Sequence, residues 1–338
     1  MSEPVRSVVI ALTSGARPEG EAMGAAFEAI FRGESEPALT AAFLTALAMR
    51  GESASDIAAG AAVMRAHVRR VTAPPGAIDT CGTGGLGWIS LNTSTAAAFV
   101  AAGAGAVVAK HGNRSVPPKT GSADVLEALG VNLNPTDAQL EASFARAGVS
   151  FMFAPAHHDA MKHVGPVRRA LGIRTIFNLL GPLANPAGAK RQLLGVYSDL
   201  WLAPYAKALR ALGSERAWVV HGRDGMDEIS TTGPTLVTEL NMGEIDTFEI
   251  KPEDFGLPLA TAEDLRGGKT ADNAAALRGV LGGAPGPFAD LVALNAGAAL
   301  LIAGLAADLR DGLQQARVSI ANGKAMAALE NLKLATHG

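Results

Sequence analysis

The stretch AIDTCGTGGLGWISLNTSTAAAFVAAGAGAVVAKHGNR, residues 77–114, decides how the chain is read. A short apolar run closes at Asp79-Thr80-Cys81, four glycines crowd positions 82–87, and Asn92, Thr93, Ser94 and Thr95 lead into an alanine-rich run. That order predicts a strand over 77–81, a tight loop, a helix over 94–103 and a second strand over 106–111. Glycines let backbone N–H groups approach an anion closely, and the N-terminus of the following helix favours negative charge. The pattern is neither G-x-G-x-x-G nor a P-loop with Gly-Lys-Ser/Thr. Taken alone it is open to two readings, a phosphate cradle or a glycine-rich turn with an ordinary Asn or Ser cap.

The alternation continues downstream. Further strands are predicted at 149–154, 192–197, 217–222 and 236–241, with helices at 122–129, 137–147 and 200–212. Strands alternating with helices give an α/β fold, with a mostly parallel central sheet flanked by helices. Residues 1–72 have a different texture. Apolar residues recur three and four apart within 4–15, 20–31, 37–50 and 54–68, so this part reads as helices only. Gly33 and Gly51 fall where helices should stop, and Ser35 and Ser53 where the next should be capped. Pro74-Pro75-Gly76 cannot continue a helix and predicts a hinge. The expected organisation is a small all-helical N-terminal domain over 1–72 and a larger α/β domain over 73–338. The helical, proline-punctuated segment 159–186 is expected to return onto the N-terminal helices.

Composition narrows the function. The 338 residues are 48% hydrophobic and 18% charged, as suits a soluble globular protein, and only 5% aromatic, so the core must be Ala, Val, Leu and Ile. The net charge of −3, with no Lys/Arg run, argues against a nucleic-acid partner. A single cysteine, Cys81, allows no internal disulfide and makes a reducing cytosol the default. No apolar run reaches the roughly 20 residues that span a bilayer, and no signal peptide is evident, so no membrane partner and a cytoplasmic location are expected.

Three further segments bear chemistry. In KHGNRS (110–115), Lys110 and Arg114, with Lys119 beyond, bring three cations to a strand's carboxyl end, where ligands bind in parallel α/β sheets. His111, Gly112 and Asn113 lie between them, and Ser122 opens a short helix. A solvated basic loop is the alternative. In HGRDGMDEIS (221–230), Asp224, Asp227 and Glu228 follow another strand. Magnesium takes one or two protein carboxylates plus phosphate oxygens and waters; an acidic surface turn is the alternative. In HVGPVRRALG (163–172), Arg168 or Arg169 offers a guanidinium fork that matches a carboxylate, or is an ordinary helix-surface arginine. Adjacent His157 and His158 diverge on a helix and read as structural or surface residues.

Together these segments resemble the anthranilate phosphoribosyltransferase family. GTGG (82–85), N-x-S-T (92–95), KHGNR (110–114), GSADVLEALG (121–130), VR-x-x-LG-x-RT-x-FN-x-LGPL-x-NP (167–186) and G-x-DE-x-S (225–230) occur in the family's order over essentially the whole chain. The resemblance implies a helical domain joined to an α/β domain and a homodimer. It implies Mg²⁺-dependent transfer of 5-phosphoribose from phosphoribosyl pyrophosphate to the amine of anthranilate, in tryptophan biosynthesis. By matched position, Gly82, Gly85, Ser90, Asn92, Thr93, Ser94, Thr95, Lys110 and Ser122 fall on the phosphoribosyl pyrophosphate site. His111, Gly112 and Arg114 fall in the same substrate-binding run. Asn113 and Arg168 fall on the anthranilate site, and with Lys110 carry the catalytic roles. Ser94, Asp227 and Glu228 fall on the magnesium sites.

Two departures stand out. Leu86 occupies a position where the family has Asp, and Pro117-Pro118 replace a Ser-Ser pair. Leucine can neither accept a ribose hydroxyl nor help hold a metal, and the prolines lack N–H and hydroxyl donors. Trp88 and a stiff Pro-Pro turn would then shape the loop. The family shares its fold with pyrimidine-nucleoside phosphorylases, which remain an alternative, as does a non-catalytic nucleic-acid-binding relative on the same scaffold.

Overall fold

Four helices open the chain in the computed structural model, which describes residues 2–18, 20–85, 90–115 and 120–338. They are α1 (Glu3–Thr13), α2 (Gly20–Phe31), α3 (Pro37–Arg50) and α4 (Ala54–Ala66). Ser53 caps α4 through a reciprocal box: its Oγ accepts the Asp56 N–H at 3.2 Å, and Asp56 Oδ2 accepts the Ser53 N–H at 2.8 Å. Ser35 does not cap α3. Pro37, with its preset φ, occupies the first turn, and Ser35 Oγ accepts from Thr40 Oγ1 at 2.9 Å instead.

The α/β part begins with β1 (Ile78–Gly82), α5 (Thr93–Gly103), β2 (Val108–Gly112), α6 (Ser122–Ala128), α7 (Asp137–Ala147) and β3 (Val149–Phe153). Then come α8 (Ala154–His157), α9 (Met161–Leu171) and α10 (Phe177–Leu180), followed by β4 (Arg191–Gly195), α11 (Leu202–Ala211) and β5 (Arg216–Gly222). Strands β6 (Thr235–Asn241) and β7 (Glu244–Ile250) precede α12 (Thr270–Leu281), α13 (Pro287–Ala303), α14 (Leu309–Ala321) and α15 (Lys324–His337). Among the described residues seven strands form one sheet, ordered β3-β2-β1-β4-β5-β6-β7. The first five run parallel, and β6 and β7 are antiparallel.

Strand β7 was not anticipated, because EIDTFEI is polar and mostly exposed. It is an edge strand whose Ile245, Phe248 and Ile250 are only partly buried against the two cores, so its apolar signature is weak. What fixes it is the two-residue turn at Met242-Gly243, with φ of 48° and 95°.

The sheet separates two cores. Leu193, Trp218 and Val220 face a layer of α5 and α12–α15, whereas Leu194, Val219 and Ala217 share a second cluster with Phe27, Ile57, Phe177 and Tyr205. Helices α9 and α10 pack on α2, α3 and α4. Helix α5 is buried all round, with Ala96 through Ala101 at most 1% exposed. Its alanines allow the sheet, α13 and α15 to pack closely on it. No helix among the described residues is long and apolar enough to cross a membrane. After β3 the chain returns to the other side of β1, so β1 and β4 are neighbours across a reversal of strand order, the place where open α/β sheets bind ligands at their carboxyl ends.

Candidate active site

At that reversal Gly82, the last residue of β1, lies opposite Gly195, the last of β4. A Cβ on Gly82 would strike the Asp227 carboxylate, and one on Gly195 would strike the Asp227 backbone carbonyl. The glycine pair thus supplies a flat floor on which the acidic turn rests. The adjoining loop is held from three directions. Thr83 N–H donates to Gly195 O (2.9 Å), and Thr83 Oγ1 accepts from the Tyr197 N–H (3.0 Å). Gly84 N–H donates to Asp227 Oδ2 (2.7 Å), and Gly85 O accepts from Arg174 Nη2 (2.9 Å). Gly84 and Gly85 have φ of 65° and 104°, a region that favours glycine.

Helix α5 points its N-terminus at this loop. Asn92 precedes it but makes no side-chain cap; its Nδ2 donates to Thr120 O (2.9 Å), and its Oδ1 accepts from Asn273 Nδ2 (2.9 Å). Asn273 also donates to Ser90 O (3.1 Å), so one side chain ties both ends of the approach to the helix. Ser94 N–H donates to Glu228 Oε1 at 3.2 Å, which brings the second acid of the turn against the helix start. Lys110 is 3% exposed; its Nζ donates to Thr80 O (2.5 Å) and Ser94 Oγ (3.3 Å). Thr93 is buried at the helix start, and the Thr95 hydroxyl is buried with no hydrogen-bond partner. A helix N-terminus that its own Asn92 does not cap, with an orphaned hydroxyl beside it, suits a phosphate.

Burial dominates the electrostatics. It pushes the Asp79 carboxyl up, against the pull of Lys110 and bonds from Asn185 Nδ2 (2.7 Å) and the His111 N–H (3.1 Å). It pushes the Lys110 ammonium down, opposed first by Asp79 and then by Cys81 and Glu228. Burial raises both acids of the turn, and Glu228 is lifted to about 8 with Asp227 as the next cause. Two adjacent carboxyls that cannot comfortably both ionise are ready to take a dication in place of a proton. Among the described residues no group of three or more His, Cys, Asp or Glu could hold a metal. Two carboxylates, Asp227 and Glu228, are a set that magnesium accepts when phosphate oxygens and water complete its shell.

The end of β2 and helix α9 contribute the rest. Asn113 O accepts from the Ala123 N–H (3.2 Å) and Ser122 Oγ (3.3 Å), and a Cβ on Gly112 would meet Ser122 and Phe151. Arg114 is already matched: Nη1 donates to Asp124 (2.9 Å) and Glu127 (2.8 Å), and Nη2 to Glu127 (2.8 Å), so its charge anchors the loop to α6. Arg168 is the opposite case. It is half-buried, its Cζ lies 5.7 Å from the Phe177 ring centroid, and burial lowers its pKa. Among the described residues it has no hydrogen-bond or ion-pair partner, whereas Arg169 is exposed. A partly desolvated guanidinium with open donors is complementary to a carboxylate.

His157 and His158 do diverge. His157 Nδ1 bonds Arg69 O (2.8 Å), and His158 Nε2 meets His111 Nε2 (3.2 Å), both in the interior. Asp224 spends its oxygens within its own turn, on the Met226 N–H, Ser230 Oγ and Thr232 Oγ1. Leu86, Trp88, Pro117, Pro118 and Lys119 lie outside the described residues. Sequence reasoning missed Asp79, Asn185, Arg174, Gly195 and Asn273. An acid inside an apolar strand signals Asp79; Arg174 and Asn185 stood in a quoted motif without a role; nothing local marks Gly195 or Asn273.

The chain matches the Glycosyl transferase family helical bundle domain over residues 6–68 and the Glycosyl transferase family a/b domain over residues 74–326. It is 52% identical to anthranilate phosphoribosyltransferase of Rhodopseudomonas palustris strain BisA53, over 97% of this chain and 96% of that one. It is 55% identical to the same enzyme of Azorhizobium caulinodans, over 92% and 90%. The solved anthranilate phosphoribosyltransferase of Thermus thermophilus superposes with a TM-score of 0.93 at 43% identity, covering 100% of both chains. That of Saccharomyces cerevisiae, in complex with PRPP and Mg, gives 0.90 at 28% identity, covering 100% of this chain and 99% of that one. By its sequence over nearly its full length and by its fold, the chain belongs to the anthranilate phosphoribosyltransferase family.

Proposed function

We propose that the chain transfers the 5-phosphoribosyl group of phosphoribosyl pyrophosphate to the amine of anthranilate, releasing pyrophosphate, as a step of tryptophan biosynthesis. One observation carries this: the glycine loop, the start of α5, buried Lys110 and the Asp227-Glu228 turn converge where the strand order reverses. The anomeric carbon gains a bond to the anthranilate nitrogen as its bond to the pyrophosphate oxygen breaks, and the nitrogen loses a proton to water. The Gly85 N–H, the unpartnered Thr95 hydroxyl at the start of α5 and Lys110 meet the charge that grows on the leaving group. Asp227, Glu228 and the Ser94 hydroxyl would hold magnesium, which when bound neutralises part of that charge. The aromatic amine is already neutral at pH 7, so no strong base is required and positioning carries much of the rate.

Arg168 and Asn113 take the acceptor: the open guanidinium binds the carboxylate, and Asn113 stands at the end of the strand that bears Lys110. Gly82, Gly85, Ser90, Asn92, Thr93, Thr95 and Ser122 line the donor side, with His111, Gly112 and Arg114 shaping the loop beneath it. We also propose two domains, 1–72 with 159–186 and the rest of 73–338, a homodimeric cytoplasmic enzyme, and no nucleic-acid partner, in keeping with the net charge of −3. The test is incubation with anthranilate, phosphoribosyl pyrophosphate and Mg²⁺, read by mass spectrometry. Phosphoribosyl-anthranilate is expected. Its absence over a wide range of substrate and metal concentrations, or phosphorolysis of thymidine instead, would overturn the assignment.

A further inference from the structure

Arg174 has no part in the chemistry above, yet it touches the donor loop. Its Nη2 donates to Gly85 O at 2.9 Å, and its guanidinium packs so closely on Gly85 that a Cβ there would collide with it. On its other side it lies 4.0 Å from the Tyr197 ring centroid, within the range of a cation–π contact. Tyr197 in turn donates its N–H to Thr83 Oγ1. A single planar group is thus wedged between the loop that faces the donor and the chain that follows β4.

Arg174 is also fixed to the acceptor side. It stands six residues after Arg168, and both ends of the intervening link are pinned. Gly172, at φ 63°, donates its N–H to Arg168 O (3.1 Å). Thr175 donates its N–H to Asn178 Oδ1 (3.0 Å), and Ile176 and Phe177 are buried in the helical core. Arg168 and Arg174 therefore stand at the two ends of one short braced link, with one guanidinium open and the other bonded to Gly85 O.

We infer that Arg174 is a positioning residue that couples the two substrate sites, so that acceptor bound at Arg168 tightens donor binding at the glycine loop and the reverse. The inference rests on the substrate assignment above. Binding energies are reciprocal: if the acceptor settles residues 168–176, Gly85 gains a fixed partner and loses less freedom when the diphosphate binds. Couplings of this kind typically amount to about 5- to 150-fold in affinity.

The experiment uses 2-methylbenzoate, which keeps the carboxylate and ortho substituent of anthranilate but has no amine to react. The dissociation constant of phosphoribosyl pyrophosphate is measured by calorimetry in excess Mg²⁺, with and without saturating analogue, for the natural chain, Arg174→Met and Tyr197→Leu. The natural chain should bind the donor at least about fivefold tighter with the analogue present. Arg174→Met should bind both ligands but lose that enhancement, to within twofold, and Tyr197→Leu should lose part of it. An unchanged enhancement in Arg174→Met, or none in the natural chain, overturns the inference while leaving the substrate assignment standing. If the natural chain binds neither ligand and forms no product, the substrate assignment itself fails.

Discussion

Replacing Gly195 by alanine tests the floor of the site with one methyl group. Gly195 does not occupy the left-handed region, so alanine suits its backbone and the perturbation is steric alone. The new Cβ would overlap the Asp227 carbonyl oxygen, with the Asp227 Cα only 3.0 Å away. Because ordinary carbon contacts need about 3.5 Å, the turn that bears Asp227 and Glu228 must lift by about an ångström or more. The strand cannot yield in its place, since Gly195 is paired with Gly82 on one side and Val220 on the other. Overpacking of this kind costs about 1–3 kcal/mol of stability. Misplacing catalytic groups by about 1 Å costs on the order of 100-fold in rate, or about 2.7 kcal/mol. Loss of anthranilate fluorescence, followed at varied phosphoribosyl pyrophosphate and Mg²⁺, should show kcat/KM down on the order of 100-fold. The KM for anthranilate should change little. A kcat/KM within threefold of the natural chain in a folded Gly195→Ala protein would refute the claim that Asp227 must rest on bare backbone.

Three other outcomes follow from the same geometry. Arg168→Ala removes a charged partner of the acceptor carboxylate, worth about 1.5–3 kcal/mol, and should raise the anthranilate KM on the order of 10- to 100-fold. Glu228→Gln keeps the shape but not the charge, and should raise the Mg²⁺ concentration needed for half-maximal turnover, while chelation with EDTA should abolish turnover outright. Acid should weaken the fold through His158, which burial holds at about 4 against about 6.5 in an unfolded chain. The unfolded state takes the proton first, so stability falls as pH drops from about 6.5 towards 4, by up to about 3 kcal/mol. Urea titrations between pH 7 and 5 should show a shallower loss for His158→Asn than for the natural chain.

The parallel part of the sheet was legible because β1 to β5 are buried and flanked by turn residues, so apolar runs and glycines mark them. Strand β7 was not, because an edge strand held by a hairpin needs no apolar run. The cap of α4 was legible since Ser53 and Asp56 act three residues apart; that of α3 was misplaced because Pro37 starts the helix by its preset φ and its missing N–H, with no side-chain cap. Lys110, Asp227 and Glu228 could be singled out as charges at strand ends, but their convergence depends on the reversal of strand order between β1 and β4. No single segment carries that information. Gly195 shows the same limit, as its purpose is defined by a carbonyl 32 residues away. Arg114 and Arg168 look alike in sequence, and only the carboxylates of α6 distinguish the neutralised one from the open one.

The second hydrophobic cluster runs without a break from Phe27 and Ile57, through Phe177 and Tyr205, to Leu194 and Val219 on the sheet. Connectivity suggests a bundle and a sheet that could be parted near Pro74; wetting says otherwise. A fragment ending there would bare the aromatic interior of the bundle, and its complement would bare the faces of α10 and α11 that pack on α4. The two parts of the chain therefore share one apolar interior, to which each contributes a face that the other keeps dry.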